Sequence, residues 1–306
     1  MSRRVGIVAK TRLAAAAAPL AEIATWLDQR GADPVFEVDT AALAGIGAER
    51  ERLSRDELAR TVDLVLVLGG DGTLLGMADR IGEAGRDIPI LGVNFGHLGF
   101  LTEISLPEMF GALAAALDGA ATIDERLLLR CRILRNGAEF ASRVALNDVV
   151  ITRGAFSRIL ELSVSVGSQF VARFNADGLI VASPTGSTAY NLSAGGPIVH
   201  PVVDALVLTP IAPHALSNRP VVIPASSEVR IQPVIGAPPS SRARSGRSRA
   251  EGPPEQVFLT LDGQAGFDLQ AGDEVSVGRA PKPLRLVRGT QSFFDVLRQK
   301  LRWAER

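Results

Sequence analysis

The sequence predicts an α/β domain built on a parallel sheet, followed by a β-rich, sandwich-like domain. Three observations carry this prediction. Through residues 1–119, continuous apolar runs of strand length alternate with segments of helical period. Between residues 120 and 282 the strand-like segments follow one another with few helices between them. In the last stretch, 283–306, one segment (SFFDVLRQKLRW) places Phe293, Phe294, Val296, Leu297 and Leu301 at helical spacing. That helix is expected to return to the first domain, which would then be discontinuous.

The elements follow in order. VGIVA (5–9) reads as a buried strand, and 14–30 as a helix stopped by Gly31. Residues 35–38 form a short strand, and the charged stretch 49–60 is expected to be helical. The apolar run 62–68 is a buried strand that runs into Gly69-Gly70-Asp71-Gly72-Thr73, with a helix expected from Leu74 to Gly82. IPILGVN (88–94) is another buried strand and 107–117 a helix. Beyond residue 120, LLLRCRIL, VALNDVVIT, ILELSVSV, QFVARF, GLIVAS, PVVDALVLTPIA, PVVIPA, EVRIQPV, VFLTLDG and DEVSVGR read as strands. Residues 238–254 are low in complexity and rich in arginine. They suit a disordered hairpin tip or, alternatively, a polyanion-binding arm.

Composition narrows the functional classes. Lys+Arg and Asp+Glu both number 33 in 306 residues, which gives no general attraction to nucleic acid or to an anionic membrane. No apolar run reaches the roughly 18 residues of a membrane span. The single cysteine, Cys131, excludes an intrachain disulfide and fits a reducing, cytoplasmic setting. Its apolar surroundings suit a buried filler better than a nucleophile. No Gly-Lys pair occurs, so a Walker-type phosphate loop is excluded, and no G-x-S-x-G elbow is present. His97, His200 and His214 lack metal-ligand spacing and are read as structural.

Three motifs carry the chemistry. The first is Gly69 to Thr73, between a buried strand and a helix. Unpaired main-chain N–H groups at such a turn suit phosphate oxygens, and glycines allow close approach. Asp71 argues against a dinucleotide pyrophosphate in this turn, because its charge would repel one. A carboxylate there can instead take a proton from a substrate hydroxyl; a tight turn with an aspartate cap is the alternative. The second motif, Asn147-Asp148, interrupts an apolar strand and must be paired or functional. It can hold two ribose hydroxyls or form a buried hydrogen-bonded turn. The third runs from Asp177 to Pro197 and ends in a hydroxyl-rich loop and a short helix bearing Tyr190, the only tyrosine. Thr185, Ser187 and Thr188 can meet an anionic or hydroxylated ligand and Tyr190 can stack on a ring. Capping hydroxyls with Tyr190 in the core are the alternative.

In this order the motifs resemble those of the NAD kinase family, its bacterial members most closely. The resemblance covers GGDGT (69–73), GVNFGHLGFLTE (92–103), LNDVVIT (146–152), DGLIVASPTGSTAYNLSAGGPIVHP (177–201), DGQ (262–264) and the tail (292–303). It implies an N-terminal α/β domain and a C-terminal β-sandwich-like domain with NAD between them. It also implies ATP or polyphosphate as donor, a divalent metal such as Mg²⁺, and a homodimer or homotetramer. The product would be NADP, phosphorylated at the adenosine 2′-hydroxyl. Carried over by position, Asp71 is the base, with Gly72 beside it at the NAD site. Gly69, Gly70, Gly72 and Thr73 would face the phosphates. Asn147 and Asp148 would hold a ribose; Arg158, Asn175 and Asp177 would lie along the NAD site. Thr188, Ala189, Tyr190, Asn191, Leu192 and Ser193 would form its wall, with Ala212 and Gln264 adding contacts. Asp148 stands where the family commonly has glutamate, one methylene longer. A lipid or diacylglycerol kinase sharing the GGDGT turn, a nicotinamide-dependent oxidoreductase and a non-catalytic NAD sensor are the competing readings. An isosteric asparagine at position 71 is expected to leave the turn in place.

Overall fold

The computed structural model describes residues 2–303 apart from Arg12, Ala48, His97, 155–158, Leu216, 236–255 and Ala265. Arg158, His97 and the arginine-rich stretch 238–254 therefore lie outside the described residues. The chain divides into two compact units, Met1–Arg126 with Lys282–Arg306, and Leu127–Pro281.

In the first unit, strands β1 (Arg4–Ala9), β2 (Asp33–Glu37), β3 (Arg52–Leu53), β4 (Leu64–Gly69), β5 (Pro89–Asn94), β6 (Ile104–Ser105) and β7 (Ile123–Arg126) alternate with helices. The helices are α1 (Ala17–Gln29), α2 (Val38–Ala44), α3 (Arg55–Thr61), α4 (Asp71–Ala84) and α5 (Met109–Leu117). β4 is buried at every position, as its unbroken apolar run requires when both faces are covered. The sheet order is β3-β2-β1-β4-β5, so the direction of winding reverses between β1 and β4. In an open parallel sheet the crevice at the carboxyl ends of such a pair is where ligands bind. β4 ends at Gly69, so the GGDGT turn stands at that reversal.

Several elements differ from the sequence reading. Helix α4 starts at Asp71 rather than Leu74. Only Arg55–Thr61 of the charged stretch 49–60 is helical. There Ser54 and Glu57 form a capping box that fixes the start. Helix α2 and the late strand Leu284–Val287 add to the elements expected from the sequence. That strand continues the first sheet, parallel to β5 and antiparallel to β7. The tail helix Phe293–Leu301 starts on a second capping box, Ser292 with Asp295, and buries Val296 and Leu297.

The second unit holds β8 (Leu129–Arg135), β9 (Ala138–Ala145), β10 (Asp148–Arg153), β11 (Leu160–Val166), β12 (Gln169–Ala176), β13 (Gly178–Ala182), β14 (Ala205–Ile211), β15 (Val221–Pro224), β16 (Val229–Val234), β17 (Val257–Leu261), β18 (Gly266–Leu269) and β19 (Glu274–Arg279). The late strand of the first unit is then β20 and the tail helix α7. One short helix, α6 (Tyr190–Ser193), follows a 3-10 turn over Thr185–Thr188. The strands form two antiparallel sheets, β15-β14-β13-β10-β17-β18 and β12-β11-β16-β19-β8-β9. The larger core draws from both, including Val149, Ile151, Leu179 and Val181 of one and Cys131, Leu162, Ile231 and Val275 of the other. This is a sandwich. Cys131 sits inside it, and burial pushes its thiol up to about 12, which suits an inert filler.

Alternation along β10 then sets the site. Val149 and Ile151 point into the core between the sheets. Val150 points the other way, into a second cluster with Ile180, Ala182, Val199 and Val207. With a period of two residues, Asp148 shares the face of Val150. No helix among the described residues is long and apolar enough to cross a membrane.

Candidate functional site

In the first unit the site is built around Asp71, the first residue of α4. Its carboxylate reaches across to the loop after β5. Oδ1 accepts from the Leu101 N–H (3.1 Å), the Thr102 N–H (3.0 Å) and the Thr102 hydroxyl (3.0 Å). Among the described residues Oδ2 accepts only from the Phe100 N–H, at 2.8 Å. A carboxylate has about four lone-pair sites, so Oδ2 retains capacity for a further hydroxyl. Gly99 is required for this clasp, since a Cβ there would lie 2.0 Å from Asp71 Oδ1. Gly70 and Gly72 differ: a Cβ on either would meet nothing within 4 Å. Internal packing does not demand glycine there, whereas a ligand approaching the main chain would. Gly70, the N-cap of α4, offers no side chain to the first N–H groups of the helix, which suits an anion.

In the second unit, Asn147 and Asp148 sit where an expected single strand breaks into β9 and β10. The cause is Asp262, in the left-handed region (φ 50°) just after β17. Its carboxylate accepts from the Leu146 N–H (2.8 Å), the Asn147 N–H (2.7 Å) and the Asp148 N–H (3.0 Å). Three consecutive amides are thereby drawn out of the sheet ladder. From the other side Ser183 donates its hydroxyl to the Leu146 carbonyl (2.5 Å) and its N–H to the Asn147 carbonyl (2.8 Å). The Asn147 side chain makes no hydrogen bond with the described residues. Asp148 is buried, and that burial together with the Asp262 charge pushes its carboxyl up to about 7, against the Tyr190 main-chain N–H.

A cavity of about 310 Å³ opens here, lined by Asn147, Asp148, Val150, Ala189, Tyr190, Thr260, Asp262 and Gly263. Gln264 is exposed on the turn beside Gly263, its N–H bonded to the Leu261 carbonyl at 2.8 Å. Tyr190 is 44% exposed, so it is available to stack on a ring rather than held in the core.

Not every predicted wall residue faces this cavity. Asn191 is fully buried, and its amide donates to the Ser187 and Pro197 carbonyls while accepting from the Thr209 hydroxyl. It braces the loop from within. Ser187 is likewise spent on Pro184 and Val199. Thr188 donates to the Thr185 carbonyl. Leu192 is partly exposed and Ser193 exposed. The Thr185 hydroxyl is buried without a partner among the described residues. Asn175, Asp177 and Ala212 gather at the opposite end of β13. There the Asp177 N–H bonds the Ile211 carbonyl, Asp177 accepts from Arg153 at 2.7 Å, and Ala212 takes a left-handed φ of 44°. The length of β13 separates this cluster from Asp148, about 15 Å at strand rise.

Gly186 fixes the approach of the hydroxyl-rich turn to Asn147. A Cβ there would stand 2.0 Å from the Asn147 carbonyl oxygen, a main-chain atom with no freedom to move aside. Gly186→Ala is expected to destabilise the fold by about 1–3 kcal/mol, the usual range for overpacking. Urea unfolding measures this, and an unchanged midpoint would show that the turn tolerates the methyl group.

Comparison with known proteins agrees with this geometry. The ATP-NAD kinase N-terminal domain matches residues 5–121 and the ATP-NAD kinase C-terminal domain residues 146–289. The NAD kinase of Geotalea daltonii is 43% identical over 305 residues, 99% of this chain and 100% of that protein. That of Geobacter sulfurreducens is 42% identical over the same coverage. Among solved structures, yeast NADH kinase complexed with NADH superposes with a TM-score of 0.85 at 26% identity, covering 100% of this chain and 89% of that one. An NAD kinase from Archaeoglobus fulgidus in complex with ATP has the same fold, with a TM-score of 0.72 at 22% identity, covering 98% of each chain. Neither a lipid kinase nor an oxidoreductase is favoured by these matches. The chain belongs to the NAD kinase family and is a phosphotransferase acting on NAD.

Proposed function

We propose that the chain transfers the terminal phosphoryl group of ATP, or of inorganic polyphosphate, to the 2′-hydroxyl of the adenosine ribose of NAD, giving NADP. The observation that carries this reading is the Asp71 carboxylate. It stands at the carboxyl end of β4, is held by four donors, and keeps lone-pair capacity on Oδ2. It accepts the hydroxyl proton as the phosphoryl group arrives, while the open amides at Gly70 and Gly72 receive phosphate oxygens. Phosphoryl transfer asks for positioning and charge neutralisation more than for covalent catalysis. A coupled assay of NADP formation, run with ATP and separately with polyphosphate, tests the reading and decides the donor. NADP formation with neither would overturn it.

A divalent metal, Mg²⁺, fits as a companion of the donor phosphates. Among the described residues no group of three or more His, Cys, Asp or Glu side chains is arranged to hold a metal ion. Mg²⁺ in nucleotide sites commonly takes one or two carboxylates plus substrate phosphates, so a protein cage is not required. When bound it would offset the phosphate charge. The same reading includes a cytoplasmic location and a homodimer or homotetramer, supported by the family resemblance.

Asn147 and Asp148 take the hydroxyls of a ribose of NAD. Asn147→Ala removes an amide that makes no hydrogen bond with the described residues, so the fold should be unaffected. The hydroxyl it serves is left unsatisfied on binding, at about 1–3 kcal/mol. The Michaelis constant for NAD is therefore expected to rise about 5–150-fold. Insoluble protein, with unchanged NAD affinity in its folded fraction, would return Asn147 to a purely structural role.

A further inference from the structure

We propose that Asp262 is a positioning residue for NAD: it fixes the main chain of residues 146–148 and so aims Asn147 and Asp148 into the cavity. The inference rests on the reading that Asn147 and Asp148 hold a ribose. Three consecutive N–H groups converge on one carboxylate at 2.7–3.0 Å, and the Asp262 N–H returns a bond to the Asp148 carbonyl at 3.0 Å. The two segments are thus clasped in both directions. The clasp ends β9, begins β10, and turns the Asn147 and Asp148 side chains into the cavity that Asp262 itself helps to line. Few side chains can do this. The position needs a left-handed main chain, which aspartate and asparagine adopt more readily than most residues, and two acceptor oxygens.

The second half of the inference concerns charge. Asp148 faces Asp262 from the β17 turn and the Tyr190 main-chain N–H from α6, with Ala182 opposite it on β13. Among the described residues no basic side chain contributes to its titration. Among the same residues three amides converge on the Asp262 carboxylate and one, that of Tyr190, on Asp148. Burial and the neighbouring Asp262 charge raise the Asp148 carboxyl to about 7, so Asp148 takes a proton near neutrality. A ribose hydroxyl donating to Asp148 favours its ionised form, so NAD should bind more tightly as the pH rises through about 7.

The test is Asp262→Asn. Oδ1 of asparagine can keep the Asn147 and Asp148 amides and the left-handed main chain, while the charge and one acceptor are lost. The Michaelis constant for NAD should rise about tenfold, the scale of one lost hydrogen bond, with turnover at saturating NAD changed less than about threefold. The inflection in the pH dependence of that constant should move to lower pH, because a like charge beside Asp148 has gone. A role in folding alone would not move that inflection. If Asp262→Asn does not fold, Asp262→Ser is read in the same assays with the same expected directions. Unchanged Michaelis constant and inflection in Asp262→Asn, while Asn147→Ala raises the constant, would overturn the role of Asp262 alone. If both variants leave the constant unchanged, the ribose reading fails and the proposal falls with it.

Discussion

Asp71→Asn is expected to lower turnover by at least about a hundredfold, within the range of general-base contributions. The amide cannot accept the hydroxyl proton as a carboxylate does. The substitution is nevertheless not silent in the fold, contrary to what isosterism suggests. The carboxylate accepts three main-chain N–H groups and one hydroxyl from residues 100–102. With Oδ1 kept against its three donors, Nδ2 of asparagine faces the Phe100 N–H, donor against donor. That mismatch costs about 1–3 kcal/mol, so the thermal midpoint should fall by a few degrees rather than stay level or rise. Rate, calorimetric NAD binding and a melting curve measured together separate the two roles. Low turnover with NAD affinity kept within a few-fold assigns Asp71 as the base. Turnover above about a third of wild type excludes a base on this scale and leaves the loop clasp as its function.

The surroundings of Asp71 show where the sequence was legible and where it was not. The unbroken apolar run of β4 and the glycines after it announced a strand and a turn, because a strand covered on both faces needs no polar alternation. Nothing in GGDGT announced the partner loop. The contacts from Asp71 to Phe100, Leu101 and Thr102 span about thirty positions and obey no local period. The same holds for Asp262. DGQ was recognisable as a motif, yet its aspartate acts on amides more than a hundred positions earlier. Periodicity read VALNDVVIT as one strand since the agent that breaks it lies on another. The tail shows the converse. Helical spacing in SFFDVLRQKLRW identified α7, but β20 just before it, four residues long, was too short to carry a period against the neighbouring charges. The resemblance puts Asn191 in the NAD wall, whereas its side chain is buried and braces the loop, a distinction that sequence alone does not make until the partners are placed.

Asp148→Asn is expected to stabilise the protein in a pH-dependent way. Burial and the Asp262 charge raise the Asp148 carboxyl from 3.8 to about 7 in the folded state. The folded protein therefore prefers this group protonated. Its stabilising contribution is complete below about pH 4, is lost as the pH rises toward about 7, and changes no further above that. A raised value of this size corresponds to at most about 4 kcal/mol at alkaline pH. Asparagine keeps an acceptor for the Tyr190 N–H and turns a donor toward the Asp262 carboxylate without a second negative charge. At pH 8 the variant should unfold at higher denaturant than wild type, and at pH 4 the two midpoints should converge. Parallel stability curves between those limits would show that Asp148 is already ionised in the fold. The gain should carry a functional cost. An amide accepts at one oxygen where an ionised carboxylate accepts at two, so NAD binding at pH 8 should weaken as stability rises. On the ribose reading, a buried carboxylate that destabilises the empty protein and strengthens its grip on NAD would be the usual exchange between stability and activity at a binding site.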